Sequence, residues 1–588
     1  MSVEVLEPTK LVGLGNELYA AELYTHAREI FSLATSGDTS PEIELRLGQC
    51  ESRMGKVLDA ERRARRLLQR YERVTAVWLL LAGCLIAQEA FKAALWACNQ
   101  ALTRTPGDAR IYSVLGLVFE HLGDFESARD AYHMTVALDP NDPVGLSTLV
   151  FVKRKLCDWD GLDELSERLQ GCIARGADDV SPFLFLGEGA SPAQELTCAR
   201  TFARRFTKVI NPVSSQPRRS VTHGPLRVGF VSHKFGEHAG TILTSAFFEQ
   251  LQRLGPEIHL VATSTDRGSA PRRRLQNAVH RFHNMAGRTP YEIAEQIRST
   301  EIGVLIDLDG YGRGAVPRVF AQHCASIQVN WLGYPGTSGA PYMDYVIADR
   351  FVLPESMRPC FSETVAYLPR CFQPSDPTRR VSNPPSREAC GLPRVGVVYA
   401  CFNASFKINP RSFTRMLRVL NEVPDSVLWL LKGNGQASER LCKAAKEFGI
   451  DPSRLIFMGR KNHSAYLACF RHADLFLDTE HYGAHTTASD ALWAGCPVLT
   501  RPGETFATRV AGSLNYHLGV SECNVDSDDI FVAEAVRYGM DVQARSALRA
   551  KVDRMRRESG LFDMAAYARD FLALLDRLVA NHRIDRHA

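Results

Sequence analysis

Small, apolar and aromatic positions in the first 145 residues recur with a regular period of 34. The pairs that match across one period are Trp78 with Tyr112, Ala82 with Gly116, Phe91 with Phe125, Ala94 with Ala128 and Pro106 with Pro140. One period earlier, Gly48 and Ala60 take the positions of Ala82 and Ala94. Small residues suit the point where two helices cross, aromatic residues fill the space between helices, and proline ends each unit. The pattern therefore predicts repeated helix pairs.

The repeated unit has the features of a tetratricopeptide repeat, so residues 1–145 are predicted to form an α-helical solenoid. Each helix pair buries its apolar face only against its neighbours, and the stacked pairs form a concave groove that usually binds polypeptide. A further copy near Leu14 matches the repeat pattern less closely, because leucine stands where the later copies have a small residue. The alternative is an all-helical bundle without regular stacking.

Beyond Leu226 the apolar positions change to short β-branched runs separated by helical stretches. The runs are LRVGFVS, HLVATS, IGVLIDL and IQVNWLG in the first part, and VVYACF, SVLWLLK, LIFMG, LFLDT and PVLTR in the second. This alternation predicts two doubly wound, Rossmann-like α/β domains at 226–385 and 386–588, with a ligand cleft between them. Residues 146–225 are predicted to be a helical transition that ends in a linker at 211–225.

Composition and charge narrow the functional classes. The formal net charge is +4 over 588 residues, so there is no general case for nucleic-acid binding. The fifteen cysteines include no CxxC pair, which gives no indication of a zinc ribbon or a thioredoxin-type site. The N-terminal residues lack a signal-peptide core, and the apolar run from Val77 to Ala87 is too short to span a bilayer. We therefore expect a cytoplasmic protein without a membrane span.

The stretch HYGAHTTASDALWAGCPVLT, residues 481–500, carries the strongest candidate chemistry. It joins a predicted strand to a helix, so His485, Thr486 and Thr487 fall at a helix N-terminus, where free amides and the helix dipole favour an anion. Asp490 lies four residues after Thr486 on the same helix face, and its carboxylate suits a ribose diol. The alternative is that Thr486 only caps the helix and that Asp490 is a solvated surface acid.

Three more loops follow predicted strands and carry candidate groups. Lys407 in ACFNASFKINP can balance a diphosphate leaving group, although a surface lysine is the commoner case. In the first α/β domain, VSHKFGEHAGT offers His233 and His238, and a histidine that faces the cleft can accept or relay a proton. NWLGYPGTSGAPYMDY, residues 330–345, has the glycine and proline content of a shaped ligand wall, or of a plain turn.

Several segments together resemble the O-linked N-acetylglucosamine transferases, in particular their bacterial homologues. These segments are WLGYPGTSGAPYMDYVIAD, FNASFKINP, SVLWLL, HTTASDALWAGCPVLTRPGETFATRVA and FGEH, preceded by the repeats. The resemblance covers nearly the whole chain and implies a GT-B fold, with the sugar nucleotide between the two Rossmann-like domains. It also implies an inverting, metal-independent transfer of GlcNAc from UDP-GlcNAc to serine and threonine hydroxyls of a polypeptide.

The resemblance assigns a role to each candidate side chain. Lys407 would neutralise the departing UDP, and His238 would be the active-site histidine, as a base or as a positioning group. The residues implied to bind the sugar nucleotide are Leu332, Gly333 and Pro335 at the sugar, Tyr466 at the uracil, His485, Thr486 and Thr487 at the diphosphate, and Asp490 at the ribose. The PGET segment, residues 502–505, would flank the nucleotide.

Two apparent metal motifs are interpreted as structural. Asp307-Leu308-Asp309 resembles the Asp-x-Asp motif of one glycosyltransferase class, but it closes an apolar strand, so we prefer a strand-end turn. His481 and His485 are four residues apart, yet no third ligand is evident. We therefore expect neither a metal nor another cofactor, only the sugar nucleotide as a substrate.

Four positions depart from the animal members of the resembled family. Lys234 replaces an acid, Ala404 replaces a glutamine, and Tyr466 replaces the histidine that would stack on uracil, although tyrosine can also stack. A second active-site histidine has no counterpart around residues 180–186. Two alternatives stay open: another sugar nucleotide, such as GDP-fucose, in the same cleft, and a repeat-based interaction scaffold with little catalytic activity.

Overall fold

The computed structural model describes residues 7–20, 23–35, 40–207 and 225–585, with side chains to residue 582. The predicted linker at 211–225 lies outside these ranges, apart from its last residue. The described residues form two units. One holds the residues up to Val152 together with residues 206–207, and the other holds residues 153–205 together with the α/β part. None of the helices in the described ranges is long and apolar enough to cross a membrane.

The first unit consists of helix pairs, each of which packs on the next pair. Its helices are α1 (Pro8–Ala20), α2 (Tyr24–Leu33), α3 (Pro41–Arg53), α4 (Val57–Leu68), α5 (Thr75–Ala87), α6 (Phe91–Arg104), α7 (Ala109–Leu122) and α8 (Phe125–Leu138), and α9 (Pro143–Lys155) spans the boundary between the units. The contacts within pairs and between successive pairs confirm the predicted solenoid and exclude the irregular bundle.

Small residues are required where the two helices of a pair cross. A Cβ on Gly116 of α7 would overlap the ring of Tyr132 in α8, and a Cβ on Gly15 of α1 would overlap the ring of Phe31 in α2. Gly15 therefore holds the small position of the first repeat, and the register assigned at Leu14 was wrong by one residue. The step from Gly15 to Gly48 is 33 residues rather than 34, which is why a fixed period missed it.

The helical transition lies in the second unit and contacts both α/β domains. Its helices are α10 (Leu162–Ala174), α11 (Pro182–Phe185) and α12 (Pro192–Thr207). On one side, the carbonyl of Lys155 accepts a hydrogen bond from Ser405 Oγ at 2.7 Å. On the other side, a Cβ on Gly339 would overlap the backbone of Ala199 in α12. The transition is therefore part of the α/β core and not of the repeats.

The first α/β domain has a seven-stranded parallel sheet in the order β3-β2-β1-β4-β5-β6-β7. The strands are β1 (Arg227–Ser232), β2 (Glu257–Ala262), β3 (Arg281–Asn284), β4 (Val304–Asp307), β5 (Ile327–Asn330), β6 (Tyr345–Ala348) and β7 (Thr364–Tyr367). The helices are α13 (Ala239–Gln252), α14 (Ala270–Asn277), α15 (Pro290–Ser299) and α16 (Pro317–Ala321). The strand predictions from the sequence did not include β3, β6 and β7. These short strands lie towards the sheet edges, and the two edge strands, β3 and β7, carry exposed residues, so their apolar pattern is weak.

The second α/β domain has a five-stranded parallel sheet in the order β10-β9-β8-β11-β12, which confirms all five predicted strands. These are β8 (Val398–Cys401), β9 (Val427–Leu431), β10 (Leu455–Met458), β11 (Leu475–Leu477) and β12 (Val498–Leu499). The helices are α17 (Pro410–Glu422), α18 (Ala437–Glu447), α19 (His463–Cys469), α20 (Thr486–Trp493), α21 (Phe506–Leu518), α22 (Asp528–Met540), α23 (Val542–Glu558) and α24 (Met564–Asp585). Strand order reverses between β1 and β4 and again between β8 and β11, the positions at which such sheets bind ligands.

The last helix does not pack where the predicted domain boundary places it. α24 falls within 386–588 but contacts α13 of the first domain. The ring of Phe571 lies 4.7 Å from that of Trp331 and 4.9 Å from that of Phe247, measured between centroids. The boundary was therefore wrong for this helix, because an apolar stripe shows that a helix is covered but not which domain covers it.

Candidate active site

The predicted site residues of the second α/β domain gather where its strand order reverses. Lys407 follows β8 and His485 follows β11, and these two strands pair in parallel. Because the carboxyl ends of neighbouring parallel strands meet at one sheet edge, the two loops lie side by side. Lys407 Nζ donates a hydrogen bond to the carbonyl of Gly483 at 2.8 Å. The structure thus joins two loops that are 76 residues apart along the chain.

Asp478, the first residue after β11, holds the loop that leads into α20. Its buried carboxylate accepts hydrogen bonds from the amides of Thr479 and Ala484 and from the hydroxyl of Thr500, each at 2.7 Å. It also accepts one from the side-chain amide of Asn403 at 3.2 Å. Burial raises the pKa of Asp478, and these hydrogen bonds act in the opposite direction. Sequence analysis missed this role; the available signal was a lone acid between an apolar strand and a polar loop.

Lys407 lies in surroundings that disfavour its charge. Its Nζ is 3.8 Å from the centroid of the Tyr482 ring, and its backbone forms a 3-10 turn from Ser405 to Lys407. Burial lowers the pKa of Lys407 to about 7, although the negative charge of Asp478 favours the ammonium form. Near neutral pH a large fraction of Lys407 is therefore uncharged in the free protein, and an anion beside Nζ would favour the charged form.

Helix α20 starts directly after this loop, and its first turn has unused amides. His485 is the N-cap residue, but its side chain does not cap the helix; its Nε2 donates to the carbonyl of Ala507 at 2.9 Å. Thr486 and Thr487 are the first two helical residues, so the interpretation of Thr486 as a simple cap is wrong. The first hydrogen bond within the helix runs from the Ser489 amide to the His485 carbonyl at 3.1 Å. The amides of both threonines precede it.

This arrangement separates the role of the His485 ring from that of its backbone. Burial lowers the pKa of His485 well below its ordinary value, so the ring is neutral. Because Nε2 carries the only proton and donates it to a carbonyl, the ring has no second N–H to offer an anion. The ring orients the loop, while the first-turn amides and the hydroxyls of Thr486 and Thr487 can donate to an anion.

Asp490 is already engaged in ionic contacts. Its Oδ1 lies 2.6 Å from Arg379 Nη1, its Oδ2 lies 3.2 Å from His463 Nε2, and the residue is only 7% exposed. The alternative of a solvated surface acid is therefore wrong. Arg379 belongs to the segment between the two α/β domains, so the ion pair ties that segment to α20. Contact of Asp490 with a ribose stays a prediction. In it, the carboxylate accepts hydrogen bonds from the ribose diol and retains its ion pair with Arg379.

Tyr466 lies in α19 within an aromatic cluster beside α20. Its ring centroid is 5.8 Å from that of Phe402 and 5.3 Å from that of Phe470. The ring of His463 is nearly parallel to it, at 6.1 Å and 27°. Burial raises the pKa of Tyr466 well above its ordinary value, and a hydrogen bond with Thr487 opposes this rise. The structure brings Tyr466 to the predicted nucleotide site, while stacking on uracil stays a prediction.

The predicted sugar-binding loop follows β5 and packs tightly on the loop after β4. Leu332 has a left-handed backbone, with φ of 72°. A Cβ on Gly333 would overlap the carbonyl oxygen of Leu308, so only glycine fits there. Tyr334, which Pro335 follows, packs its ring 5.4 Å from that of Tyr311. The loop is therefore a rigid wall, and its contact with a sugar stays a prediction.

The loop after β1 carries His238, which begins helix α13. His238 Nδ1 accepts a hydrogen bond from the amide of Gly240 at 3.0 Å and so caps the helix. Earlier in the loop, Lys234 Nζ lies 3.3 Å from Asp309 Oδ1. Asp309 also accepts a hydrogen bond from Ser232 Oγ at 3.0 Å. The loops after β1 and β4 are thereby joined at the strand-order reversal of the first sheet.

Asp307-Leu308-Asp309 forms a strand-end turn, as predicted. Asp307 ends β4, and its Oδ1 accepts hydrogen bonds from the amides of Asp309 at 2.9 Å and Gly310 at 3.0 Å. Burial and the neighbouring charge of Asp309 raise the pKa of Asp307 to about 7. Across the part of the chain that the structure describes, no three His, Cys, Asp or Glu side chains are placed to hold a metal ion together.

The helical transition supplies another wall of the site. The ring of Phe183 lies 6.4 Å from that of Tyr482. Gly189 has a φ of +64°, and a Cβ there would lie 2.6 Å from the ring of His481. His481 thus faces Gly189 while His485 faces Ala507, so the two histidines are not arranged as a ligand pair. The available signal was Gly187-Glu188-Gly189, since closely spaced glycines mark close backbone approach.

The structure therefore brings most, but not all, of the predicted residues together. Lys407, residues 485–487, Asp490 and Tyr466 share one edge of the second sheet. The loops with His238 and Leu332 lie at the corresponding edge of the first sheet. Within the described ranges, no hydrogen bond or ring contact links His238 to Lys407. Two Rossmann-like domains, with an open helix N-terminus at a strand-order reversal, have the architecture of the GT-B class of glycosyltransferase folds.

The chain belongs to glycosyl transferase family 41, whose model matches residues 206–381 and 377–571. A tetratricopeptide repeat model matches residues 45–109 and 97–143. These matches confirm the expected family and the expected repeats.

The chain is similar to proteins from a plant, an animal and a bacterium. The chain is 30% identical over 436 residues to an Arabidopsis thaliana protein named probable UDP-N-acetylglucosamine–peptide N-acetylglucosaminyltransferase SEC, covering 71% of this chain and 45% of that protein. It is 28% identical over 551 residues to the Caenorhabditis elegans UDP-N-acetylglucosamine–peptide N-acetylglucosaminyltransferase. This match covers 72% of this chain and 48% of that protein. The chain spans about half the length of these curated relatives. A solved mutant of the Thermobaculum terrenum O-GlcNAc transferase shares the fold, with a TM-score of 0.68 and 24% identity over 92% of this chain and 98% of that one.

Proposed function

We propose that the protein is an inverting glycosyltransferase that moves N-acetylglucosamine from UDP-GlcNAc to serine and threonine hydroxyls of polypeptides without a metal ion. One observation carries the proposal: Lys407 Nζ donates to the Gly483 carbonyl, which places a lysine beside the open first turn of α20. A cation next to a helix N-terminus is suited to a nucleoside diphosphate that gains charge as it leaves.

The proposed chemistry follows from where charge develops. The acceptor hydroxyl oxygen attacks the anomeric carbon, the bond from that carbon to the β-phosphate oxygen breaks, and the electron pair leaves with UDP. The amides and hydroxyls of Thr486 and Thr487 bind the diphosphate before the reaction. Lys407 adds a full positive charge once the anion has raised its pKa. Stabilisation of this kind increases as the bond breaks, which is the requirement for catalysis.

The donor sugar and the acceptor are supported by the named relatives and by two features of the fold. The relatives named above are described as transferring N-acetylglucosamine to peptides, and they share the family. The rigid loop with Leu332, Gly333 and Pro335 offers a preformed wall at which a sugar can be held. The stacked repeats offer a concave surface, the usual site of extended polypeptides in such solenoids.

The decisive experiment compares UDP release and UDP binding in two lysine variants. Lys407→Ala removes the proposed leaving-group cation, whereas Lys443→Ala removes a lysine whose side chain is 77% exposed in α18. We expect the first variant to bind UDP measurably and to lose a factor of roughly 10²–10³ in turnover, and the second to match the unsubstituted protein. Equal turnover in all three proteins would contradict the proposed role of Lys407.

The same assay identifies the donor. UDP release from UDP-GlcNAc is measured with and without an acceptor peptide that contains serine and threonine, and GDP release from GDP-fucose is measured in parallel. The proposal expects peptide-dependent UDP release and a mass increase of the peptide by one N-acetylhexosamine. Turnover of GDP-fucose alone would show that the cleft serves another sugar nucleotide.

A further inference from the structure

The hydrogen bond at the start of α13 determines where the proton of His238 resides. Nδ1 accepts from the Gly240 amide, so Nδ1 carries no proton in this arrangement. A neutral imidazole has a single N–H, which must then be at Nε2. The nitrogen that can still reach a ligand is therefore a hydrogen-bond donor.

A general base at this position would need the opposite tautomer. With the proton on Nδ1, the ring would direct an N–H at the Gly240 amide, and α13 would lose its side-chain cap. Protonation of the ring to imidazolium breaks the same hydrogen bond. The cap thus favours one protonation state of His238, the neutral ring with Nε2–H.

Lys234 is fixed in the loop that carries His238. Its ammonium lies 3.3 Å from the buried carboxylate of Asp309. Its amide donates to Ser232 Oγ at 2.9 Å, and its carbonyl accepts from Thr241 Oγ1 in α13 at 2.7 Å. These contacts join the Lys234 backbone to the helix that His238 caps.

The charged and titratable groups around the His238 ring come from two loops. Lys234 and His233 belong to the loop of His238 itself, and Asp309 belongs to the loop after β4. Partial loss of hydration, followed by the positive charge of Lys234, lowers the pKa of His238, although the residue keeps exposed surface, while Asp309 acts in the opposite direction. The surroundings therefore favour the protonation state that the cap requires.

We propose that His238 meets the substrate as a neutral hydrogen-bond donor through Nε2–H and is not the base of the transfer, and that Lys234 is a positioning residue that keeps the ring in this state. The inference rests on the proposed glycosyl transfer. The acceptor hydroxyl loses its proton as its oxygen bonds to the anomeric carbon. That proton goes to an oxygen of the departing diphosphate or to solvent, and the Nε2–H bond stays intact throughout.

Three substitutions of His238 separate a donor from a base. His238→Gln keeps an N–H near the position of Nε2, His238→Asn keeps an oxygen that can cap α13, and His238→Ala keeps neither. None of the three can act as a base. We expect turnover by the Gln variant to exceed that by the Ala variant by about tenfold, and the Asn variant to melt at a higher temperature than the Ala variant. An equal loss of roughly 10²–10⁴ in kcat for all three, as for removal of a general base, would overturn the proposal.

The role of Lys234 is tested by the pH dependence of kcat/KM. Lys234→Met removes a positive charge near the ring, so the pKa of His238 rises and the acid limb of the profile moves to higher pH, by about half a unit or more. Lys234→Arg retains the charge and should restore the position of the limb. An unmoved acid limb in Lys234→Met would overturn this part, because a purely structural role would change rates without moving the limb.

One measurement distinguishes failure of this inference from failure of the proposed function. Imidazole ¹⁵N chemical shifts of the full chain, assigned with His238→Asn, report directly whether Nδ1 or Nε2 carries the proton. A protonated Nδ1 in an active enzyme would refute the inference and leave the function standing. Absence of UDP release from the unsubstituted protein would refute the function, while the shifts would still test the tautomer.

Discussion

The ammonium nitrogen of Lys407 lies 3.8 Å from the centroid of the Tyr482 ring, and its hydrogen bond to the Gly483 carbonyl is 2.8 Å long. An aromatic face and one carbonyl compensate only partly for the water that an ammonium loses on burial. The pKa of Lys407 is therefore lowered to about 7 in the free protein. A diphosphate placed beside Nζ supplies the missing negative charge.

Binding of UDP at pH 8 should take up about one proton, because Lys407 is mostly neutral in the free protein and charged in the complex. Calorimetry in buffers of different ionisation enthalpy measures this uptake. Lys407→Met should bind UDP without it, and Lys443→Met should behave like the unsubstituted protein. Uptake that persists in Lys407→Met would assign the proton to another group.

Asp478→Asn should weaken UDP binding and lower stability together. The asparagine amide keeps one acceptor and turns an NH₂ group towards donors, which leaves buried donors unpaired at a cost of about 1–3 kcal/mol. The loop that ends in His485 would then lose its anchor. The matched control is Asp529→Asn, because the Asp529 side chain is 86% exposed. Thermal melting and UDP calorimetry on both variants decide the matter; unchanged UDP affinity in Asp478→Asn would count against the anchor.

Gly189→Ala should disturb the site from the helical transition. The new Cβ would lie 2.6 Å from the His481 ring, on a backbone whose φ of +64° is already unfavourable for alanine. Gly176→Ala is the matched control, since Gly176 also has a positive φ, of +92°, but nothing within 4 Å. Both variants carry the backbone cost of about 1 kcal/mol, and only Gly189→Ala should reduce UDP affinity as well. Equal UDP affinities would show that this wall does not support the site.

Transfer should survive removal of divalent metal ions. In the proposed mechanism Lys407 and the α20 N-terminus supply positive charge at the diphosphate. The Asp307 carboxylate accepts a hydrogen bond from its own loop, and the Asp309 carboxylate accepts one from Ser232 at the end of β1. We expect full UDP release in excess EDTA and no gain on addition of manganese. Activity that is lost in EDTA and restored by manganese would return Asp307 and Asp309 to consideration as metal ligands.

Removal of the repeats should spare UDP binding and weaken the modification of whole proteins. The repeats pack mainly on neighbouring repeats, whereas the helical transition belongs to the α/β unit. Because α9 spans both units, the cut belongs before it, and a chain that starts at Pro140 retains it. UDP affinity by calorimetry and protein glycosylation by mass spectrometry compare this chain with the full one. Equal glycosylation would show that the repeats are not the acceptor site, and a folded short chain that cannot bind UDP would make them part of the core.

Local patterns were enough to predict most of the architecture. The 34-residue period follows from helix crossings that recur within one repeat, and only the 33-residue step at Gly15 escaped it. The buried strands beside each strand-order reversal were recognised because both of their faces are apolar. The loop with Thr486 and Thr487 was placed at a helix N-terminus because a strand end and a helix start can both be identified from nearby residues.

Only the tertiary structure decided which groups face each other. The sequence could not show that Arg379 neutralises Asp490, that α24 covers the first domain, or that the helical transition packs on His481. Nor could it show which nitrogen of His238 carries the proton, which depends on a single hydrogen bond at a helix start. Periodicity records which side of an element is buried, because burial repeats along the chain. The partner of a buried charge or ring is set by the three-dimensional path of the backbone, which brings residues more than a hundred positions apart within a few ångströms.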